Sequence, residues 1–528
     1  MQKSIREWIM QFAVLALVAA PGAATCSSEA VQRGSHSPGD EDRWLCLMER
    51  GNKFRGEGRF SEAESVYQEA LREAEARSAQ PLLRAASLNN LAVVFQDCGK
   101  LAEAEKLLQE SLQIRKQLMG DAAPELVPSL NNLAEVYRAQ GRYPEAEALY
   151  EQALHLTVVS AGAGSEAEAR LILNQGRVAQ KQGRYEQAEE LHRRSFSIQQ
   201  KVLGPQHLAV ALALNNLSAL YFAKGSYAEA EVFARRGLSI IEKHLGATHL
   251  NAAAPLSNLG EILRAQGRLD EAWEVHERAL RIFERTYGPQ HPDVLTCLEN
   301  KASLLALQRK YAEAEAISRR VLAGRVRTLG PDHPDVATTL NNLAGFCLAQ
   351  QSRVNVEMLY RRAIAIRETG LGASHPEVAP LLNNLAEFYR HEKRYKDAEP
   401  LYRRALIIQQ QAYGTRHPDI AITLNNWGEL LRARGKLAEA EHNYRQALAI
   451  AEHTLGPEHS WTAAFLANLG KLLKSTGRHM EAKELLSRSV AIRIKPPGRE
   501  LSEAPAALAN HERIAEGSRS ILLQESKP

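Results

Sequence analysis

The chain has 528 residues, of which 45% are hydrophobic and 24% are charged, a composition typical of folded globular proteins and unlike that of disordered ones. The net charge of +4 is small for so long a chain, so the composition predicts neither a nucleic-acid partner nor binding to an anionic membrane. A charged partner can be inferred only from local patterns.

The amino terminus differs from the rest of the chain. Lys3 and Arg6 precede an apolar run over residues 9–20, and small residues follow it. This order predicts a secretory signal peptide over residues 1–24, followed by a flexible segment over residues 25–41. We therefore expect a protein that is exported to the periplasm or the extracellular space.

The apolar run is too short to anchor the chain in a membrane. A spanning helix needs about 20 residues, and no later segment of the chain comes near that length, so we expect no membrane span. Two alternatives to cleavage remain open. Cys26 could carry a lipid, although Thr25 directly before it disfavours this, and the segment could instead persist as an amphipathic helix.

An asparagine recurs every 42 residues through most of the chain, within the pattern L-N-N-L-A or a variant of it. Ten copies in one register predict a solenoid, because each copy must bury its apolar face against the next. The ten residues are Asn90, Asn132, Asn174, Asn216, Asn258, Asn300, Asn342, Asn384, Asn426 and Asn468.

Each copy should fold as two helices. Leu88, Leu91, Ala92 and Phe95 stand at i, i+3, i+4 and i+7, which predicts a first helix, called A, that ends at Gly99. A second apolar stripe with helical spacing follows from residue 104 and predicts an antiparallel helix B. Small residues recur where the two helices cross, so each copy is an αα-hairpin.

The order of small residue, Tyr, Gly, Tyr, Ala, large residue and Ala resembles the tetratricopeptide repeat. The 42-residue length, with L-N-N-L-A and L-G-P-x-H-P, is similar to the kinesin light chain type of this repeat. The chain differs from kinesin light chain itself, since an export signal stands where that protein carries a coiled coil, and we therefore infer no role in motor adaptation. A diverged copy with Gly58, Phe60, Tyr67 and Ala70 precedes the ten.

The resemblance implies an all-α fold, a right-handed superhelical α-solenoid of about eleven antiparallel helix pairs over residues 42–495. Residues 496–528 are polar after Pro496 and Pro497, and we expect a capping helix over residues 502–515 and a tail.

A histidine recurs in seven of the connectors from a helix B to the next helix A. Successive copies should lie about 9 Å apart, too far for shared metal ligation at about 2 Å per bond. We therefore expect no metal, and predict that each His caps the following helix, often before a Pro in its first turn. These residues are His207, His249, His291, His333, His375, His417 and His459.

One copy breaks the pattern. Between Ser352 and Val356 it loses the Gly, the aromatic residue and the small Ala that the other copies carry. We expect helices A and B to lie farther apart here, with a local change in curvature.

The resemblance also implies that one face of the A helices lines a concave groove that binds peptides. Two interpretations of the Asn residues remain open: their amides could hold the backbone of an extended ligand, or they could fasten each hairpin to the next. Glu and Arg recur at i, i+3 on this face, and Lys181 and Lys474 add positive charge. The predicted peptide-binding residues are Asn132, Arg138, Arg177, Asn216, Asn258, Arg264, Asn342, Asn384, Arg390, Asn426, Arg432 and Lys471.

The sequence contains none of the common catalytic motifs: no phosphate-binding loop, no G-x-S-x-G and no H-E-x-x-H. We expect no enzyme activity, no cofactor and no small-molecule substrate. The predicted function is a protein-interaction scaffold that binds an extended, acidic peptide segment in its groove. The alternative is a structural component that associates with copies of itself or with an envelope complex.

Overall fold

The computed structural model describes residues 40–77, 80–352 and 355–494. This part of the chain folds as 22 α-helices in consecutive pairs, with no strand among the described residues. The predicted signal peptide and the predicted capping helix and tail lie outside the described residues. The helix pairs confirm the all-α fold, and the diverged copy before the ten forms a helix pair like the others.

The described chain divides into two compact units, one ending at Leu171 and one beginning at Ile172. We number the helix pairs as hairpins 1 to 11, with helix A first and helix B second in each. The first unit contains hairpins 1 to 3. Their helices are α1 (Asp40–Gly56), α2 (Phe60–Glu75), α3 (Pro81–Asp97), α4 (Leu101–Met119), α5 (Val127–Ala139) and α6 (Tyr143–Ala161).

The second unit contains hairpins 4 to 11, although the first six residues of α7 precede Ile172. Its helices are α7 (Glu166–Lys181), α8 (Tyr185–Leu203), α9 (Leu208–Ala223), α10 (Tyr227–Leu245), α11 (Ala253–Ala265), α12 (Leu269–Tyr287), α13 (Pro292–Leu307), α14 (Tyr311–Leu329), α15 (Pro334–Ala349), α16 (Val356–Leu371), α17 (Val378–His391), α18 (Tyr395–Tyr413), α19 (Pro418–Ala433), α20 (Leu437–Thr454), α21 (Ser460–Ser475) and α22 (His479–Ile494).

The turn from helix A to helix B requires a left-handed backbone conformation. Gly141 has φ 72°, and its amide and that of the following Arg142 close the end of α5 by bonding Arg138 O and Tyr137 O. Glycine adopts this conformation at the lowest cost. Three hairpins carry a side chain at this position and keep a positive φ of 60–63°; these residues are Arg309, Gln351 and Lys393.

The recurring connector histidines cap the helices that follow them. In each, the ring Nδ1 accepts a hydrogen bond from the backbone N–H two residues later, for example His291 from Asp293 at 3.2 Å and His459 from Trp461 at 3.0 Å. The predicted capping role is thus confirmed. Among the described residues, no group of three or more His, Cys, Asp or Glu side chains is placed to hold a metal ion.

Hairpin 8 departs from the others as its sequence indicates. Helix α16 begins at Val356, three residues later in the repeat than α18 begins in hairpin 9, and Asn355 before it is left-handed. Val356 is fully buried against the neighbouring helices, so the larger side chain is accommodated in the core. The wider separation of the two helices stays a prediction. Of the described helices, none is both long and apolar enough to cross a membrane.

Candidate peptide-binding face

The A helices of successive hairpins contact one another directly within each unit. In the first unit α3 contacts α5, and in the second unit the contacts include α9 with α11 and α19 with α21. A stack of hairpins bends toward the side on which its layers are closest. We call the surface of the A helices on this side the inner face.

Paired asparagines link the A helices along the inner face. The second Asn of one hairpin donates from Nδ2 to Oδ1 of the first Asn of the hairpin before it. Such a bond contributes about 1 kcal/mol to stability. This geometry supports the fastening interpretation of the Asn residues. The bonds join Asn132 to Asn89 (3.0 Å), Asn258 to Asn215 (2.9 Å), Asn384 to Asn341 (2.8 Å) and Asn468 to Asn425 (3.0 Å).

Three of the predicted Asn residues differ from this pattern. Asn342 donates to Glu299, which replaces the first Asn of hairpin 7, at 3.0 Å, and Asn216 donates to Leu212 O in its own helix at 2.9 Å. Asn426 accepts from Asn425 at 3.3 Å, but its own Nδ2 has no partner among the described residues. Of the Asn residues predicted to bind a peptide, Asn426 therefore has the side-chain N–H group that is most available to a ligand.

The predicted Glu–Arg pairs form, and a tyrosine from helix B completes each of three clusters. In hairpin 10, Arg432 Nη2 lies 2.8 Å from Glu429 Oε2, while the Tyr444 hydroxyl donates to Glu429 Oε1 at 2.6 Å. The tyrosine was not predicted from the sequence, although it recurs 15 residues after the Glu. The same cluster occurs as Glu135, Arg138 and Tyr150 in hairpin 3 and as Glu387, Arg390 and Tyr402 in hairpin 9.

Hairpin 6 has His276 in place of the tyrosine, with Nε2 3.4 Å from Glu261 Oε1. Burial acts to raise the pKa of Glu261, but the charge of Arg264 at 2.8 Å and the contact with His276 outweigh it and hold this pKa at about 2. Glu261 is therefore ionised at neutral pH, and its charge compensates that of Arg264.

The arginines of these clusters differ in exposure. The exposed fraction of the side chain is 3% for Arg138, 12% for Arg264, 20% for Arg390 and 46% for Arg432. Arg138 is thus almost fully covered, and Arg432 is the most accessible of the four to a ligand.

Hairpin 4 replaces every member of the cluster. Arg177 stands at the position of the Glu, and its Nη1 lies 3.5 Å from Asn174 Oδ1. His192 stands at the position of the tyrosine; it is fully buried, and neither of its ring nitrogens has a hydrogen-bond partner in the described part of the chain. Burial, and then the charge of Arg177, lower the pKa of His192 to about 3.

Hairpin 11 presents positive charge on α21. Lys471 stands at the position of the Glu and Lys474 at the position of the Arg, and both side chains are exposed. Neither has an ion-pair partner among the described residues. Hairpin 11 therefore offers positive charge that the described part of the protein does not compensate.

The sequence profile described as tetratricopeptide repeat matches most of the chain. The matched segments are residues 83–156, 167–243, 251–325, 298–369, 377–452 and 419–495. No match to the chain is found among curated proteins.

Several solved structures resemble the chain. BtubC (BKLC) from P. vanneervenii is 24% identical, with a TM-score of 0.35, and the match covers 48% of this chain and 94% of that one. A putative kinesin light chain from Podosopora anserina with nearly identical TPR-like repeats is 26% identical, with a TM-score of 0.33, over 38% of this chain and 96% of that one. A Rap protein complexed with competence and sporulation factor is 14% identical, with a TM-score of 0.47, over 71% and 99%.

Proposed function

The chain belongs to the tetratricopeptide repeat family, and we propose that it is a non-enzymatic scaffold that binds an extended, acidic segment of a partner protein on its inner face. The observation that carries the proposal is the exposed positive charge of Lys471 and Lys474 next to the accessible Arg432 of the preceding hairpin. Solenoids of this kind present extended concave surfaces to their partners.

The spacing of the repeats suits an extended ligand. Packed helix axes lie about 8–10 Å apart, and an extended chain rises about 3.3 Å per residue. One hairpin therefore corresponds to about three ligand residues. A ligand that follows the inner face would meet a new set of side chains with every third residue.

Hairpins 10 and 11 are the proposed anchor for acidic residues. A guanidinium binds a carboxylate in a planar, bidentate geometry, and an ammonium adds a compact charge. The Glu429 carboxylate is shared between Arg432 and Tyr444, and the Arg432 side chain is 46% exposed to solvent. Asn426 lies six residues before Arg432 on the same helix, and its Nδ2, which has no partner among the described residues, could donate to a ligand carbonyl.

Hairpins 5, 7 and 8 lack the charged side chains that hairpins 10 and 11 carry on this face. The positions that carry Glu and Arg in the anchor are small or apolar there. The positions are occupied by Ala219 and Phe222, by Ser303 and Ala306, and by Gly345 and Leu348. Four of these six residues are buried, so we place no ligand contact on them.

A charge reversal tests the proposal. The probe is a short fluorescein-labelled peptide in which Glu alternates with Ser, and the variants are Lys471→Glu on the inner face and Lys483→Glu on α22, a matched change at an exposed position of helix B. Lys471→Glu should weaken binding at least tenfold, and added salt should weaken binding to the wild type. Equal binding by the two variants would contradict the proposal.

We also propose that the scaffold acts outside the cytosol, because residues 1–24 have the pattern of a secretory signal. Amino-terminal sequencing of the exported protein should then begin near Thr25. Recovery of the intact terminus at Met1 would reject this part of the proposal.

A further inference from the structure

Two glycines in the second unit lie against histidines from distant hairpins. Gly183 ends helix A of hairpin 4, and a Cβ atom added to it would lie 2.7 Å from the imidazole of His417, which caps α19. Gly225 holds the same position in hairpin 5, and a Cβ atom added to it would lie still closer to the imidazole of His459, which caps α21. In both pairs the histidine follows the glycine by 234 residues.

Polar and apolar contacts surround these pairs. The side chains of Tyr227 and Ser460 are hydrogen-bonded, and Asp419 acts electrostatically on Tyr185 and Lys181. Leu455, in the connector before α21, packs against an apolar cluster from hairpins 4 and 5. The buried members of that cluster are Ala179, Tyr185, Ala188 and Leu220. We call this set of contacts the seam.

The seam joins hairpins that are not neighbours. In a simple solenoid each repeat contacts only the adjacent repeats, yet here hairpins 4 and 5 contact the connectors that precede hairpins 10 and 11. Hairpins 4 to 10 are also packed in succession through their helices. The succession and the seam together form a closed circuit of contacts within the second unit.

The turn favours glycine at Gly183 and Gly225, as it does at Gly141, but it does not require glycine. Lys393 has φ 60° and Arg309 has φ 63° at the matching position, so other residues occupy this turn elsewhere in the chain. What distinguishes Gly183 and Gly225 is the imidazole packed directly on them. The seam leaves no space there for a Cβ atom.

We propose that the seam is a latch that closes the second unit around its inner face, so that a ligand reaches this face from the side only when the latch opens. The seam consists of a few side chains and two close backbone approaches, whereas each hairpin has a buried core along its whole length. The seam should therefore open more readily than any hairpin unfolds. The proposal that the latch controls ligand access, which we call the gating, rests on the proposed function. The proposal that the seam closes the second unit, which we call the closure, does not.

A matched pair of double variants tests the closure. Gly183→Lys/Gly225→Lys places side chains in the seam, and Gly435→Lys/Gly477→Lys places them at the same turn in hairpins 10 and 11, where φ is also positive (+76° and +85°) and a Cβ atom would meet nothing within 4 Å. The full-length chain is compared by small-angle scattering and hydrogen exchange. The seam variant should show a larger radius of gyration and faster exchange at residues 179–188 and 455–461 than the control variant.

Equal scattering and exchange in the two variants would overturn the closure. If the lysine variants do not fold, Gly183→Ala/Gly225→Ala and Gly435→Ala/Gly477→Ala provide the same comparison with a smaller side chain. A larger radius of gyration and faster exchange in the seam variant would again support the closure, and equal values would overturn it.

The gating is tested separately with the Glu–Ser peptide and the alanine variants, because lysines at positions 435 and 477 would add positive charge beside the anchor. The seam variant should associate with it several-fold faster than the control variant, at an unchanged number of sites. An unchanged association rate would overturn the gating. If the peptide binds no form of the protein, including the wild type, the proposed function fails, while a larger radius of gyration of the seam variant would still support the closure.

Discussion

The side-chain amide of Asn384 donates to Asn341 Oδ1 at 2.8 Å and thereby joins helix A of hairpin 9 to helix A of hairpin 8. Asn426 occupies the same position one hairpin later, but makes no such bond among the described residues, and Asn383 Oδ1 is left without a partner. Two residues of equal type and position thus differ in one inter-hairpin hydrogen bond.

This difference separates fastening from ligand binding. Asn384→Ala should lower the free energy of unfolding by about 1 kcal/mol, because it removes the bond between hairpins, and Asn426→Ala should lower it by less. Asn426→Ala should instead weaken binding of the Glu–Ser peptide. Chemical denaturation and fluorescence anisotropy measure the two effects. If both variants lose the same stability, the bond does not fasten the hairpins.

A buried ion pair distinguishes hairpin 7. Arg325 is 1% exposed, and its Nη1 lies 3.6 Å from Glu299 Oε2. Glu299→Asn should lower the free energy of unfolding by about 3 kcal/mol, because it leaves a buried guanidinium without its carboxylate. Urea denaturation at neutral pH measures this loss.

The double variant Glu299→Asn/Arg325→Gln should recover most of the lost stability. These residue types already occupy the matching positions in hairpin 9, where Asn383 and Gln409 both bond Thr423, at 2.7 and 2.8 Å. A double variant that is less stable than Glu299→Asn would show that the charge pair is not the reason for the loss.

His192 should make the protein sensitive to acid. Its pKa is about 3 in the folded state and about 6.5 in the unfolded chain. Below pH 6.5 the unfolded state therefore binds a proton that the folded state does not, and stability should fall by about 1.4 kcal/mol per pH unit down to pH 3. Above pH 6.5, His192 is neutral in both states and causes no loss of stability.

His192→Leu, which introduces the residue found at this position in hairpin 2 as Leu108, should remove this loss. Denaturation at neutral and acidic pH measures it, and His442→Leu, at an exposed position of α20, is the control. An acid sensitivity that is identical in wild type and His192→Leu would reject the assignment.

Hairpin 8 should be the first to open. Its helix α16 begins late. In hairpin 9, Arg394 in the turn between the two helices bonds Glu357 of hairpin 8 at 2.7 Å. Hairpin 8 has the uncharged Ser352 at the matching turn position. Hydrogen exchange at residues 336–371 should therefore be faster than at residues 378–413. Residues 336–371 among the best-protected segments would contradict this.

The repeat allowed most of the fold to be predicted. Periodic apolar residues identified the hairpins, the turn position of Gly141 explained where helix A ends, and the capping role of the connector histidines followed from their position before the helices. These features depend on residues close in sequence. Six hairpins carry both Asn residues, but the sequence does not show that the second Asn donates to the first Asn of the preceding hairpin, 43 positions earlier.

The seam could not be predicted from the sequence. The separation of 234 residues between Gly183 and His417 is not a multiple of 42, so no column of the repeat relates the two residues. Their contact depends on small rotations that accumulate over six hairpins. The lack of hydrogen-bond partners for the ring nitrogens of His192 could not be predicted either, because it depends on which residues surround this side chain in space.

The most direct test of the binding proposal is site-specific photo-cross-linking in the exported fraction. A photoreactive residue replaces Ala433, which is exposed on α19 beside Arg432, or Val232, which is 64% exposed on α10. We expect position 433 to cross-link to acidic segments of a partner protein and position 232 to give no such cross-link. Cross-links from position 232 alone, or cross-links from either position to copies of this chain alone, would contradict binding at the inner face and favour an assembly role.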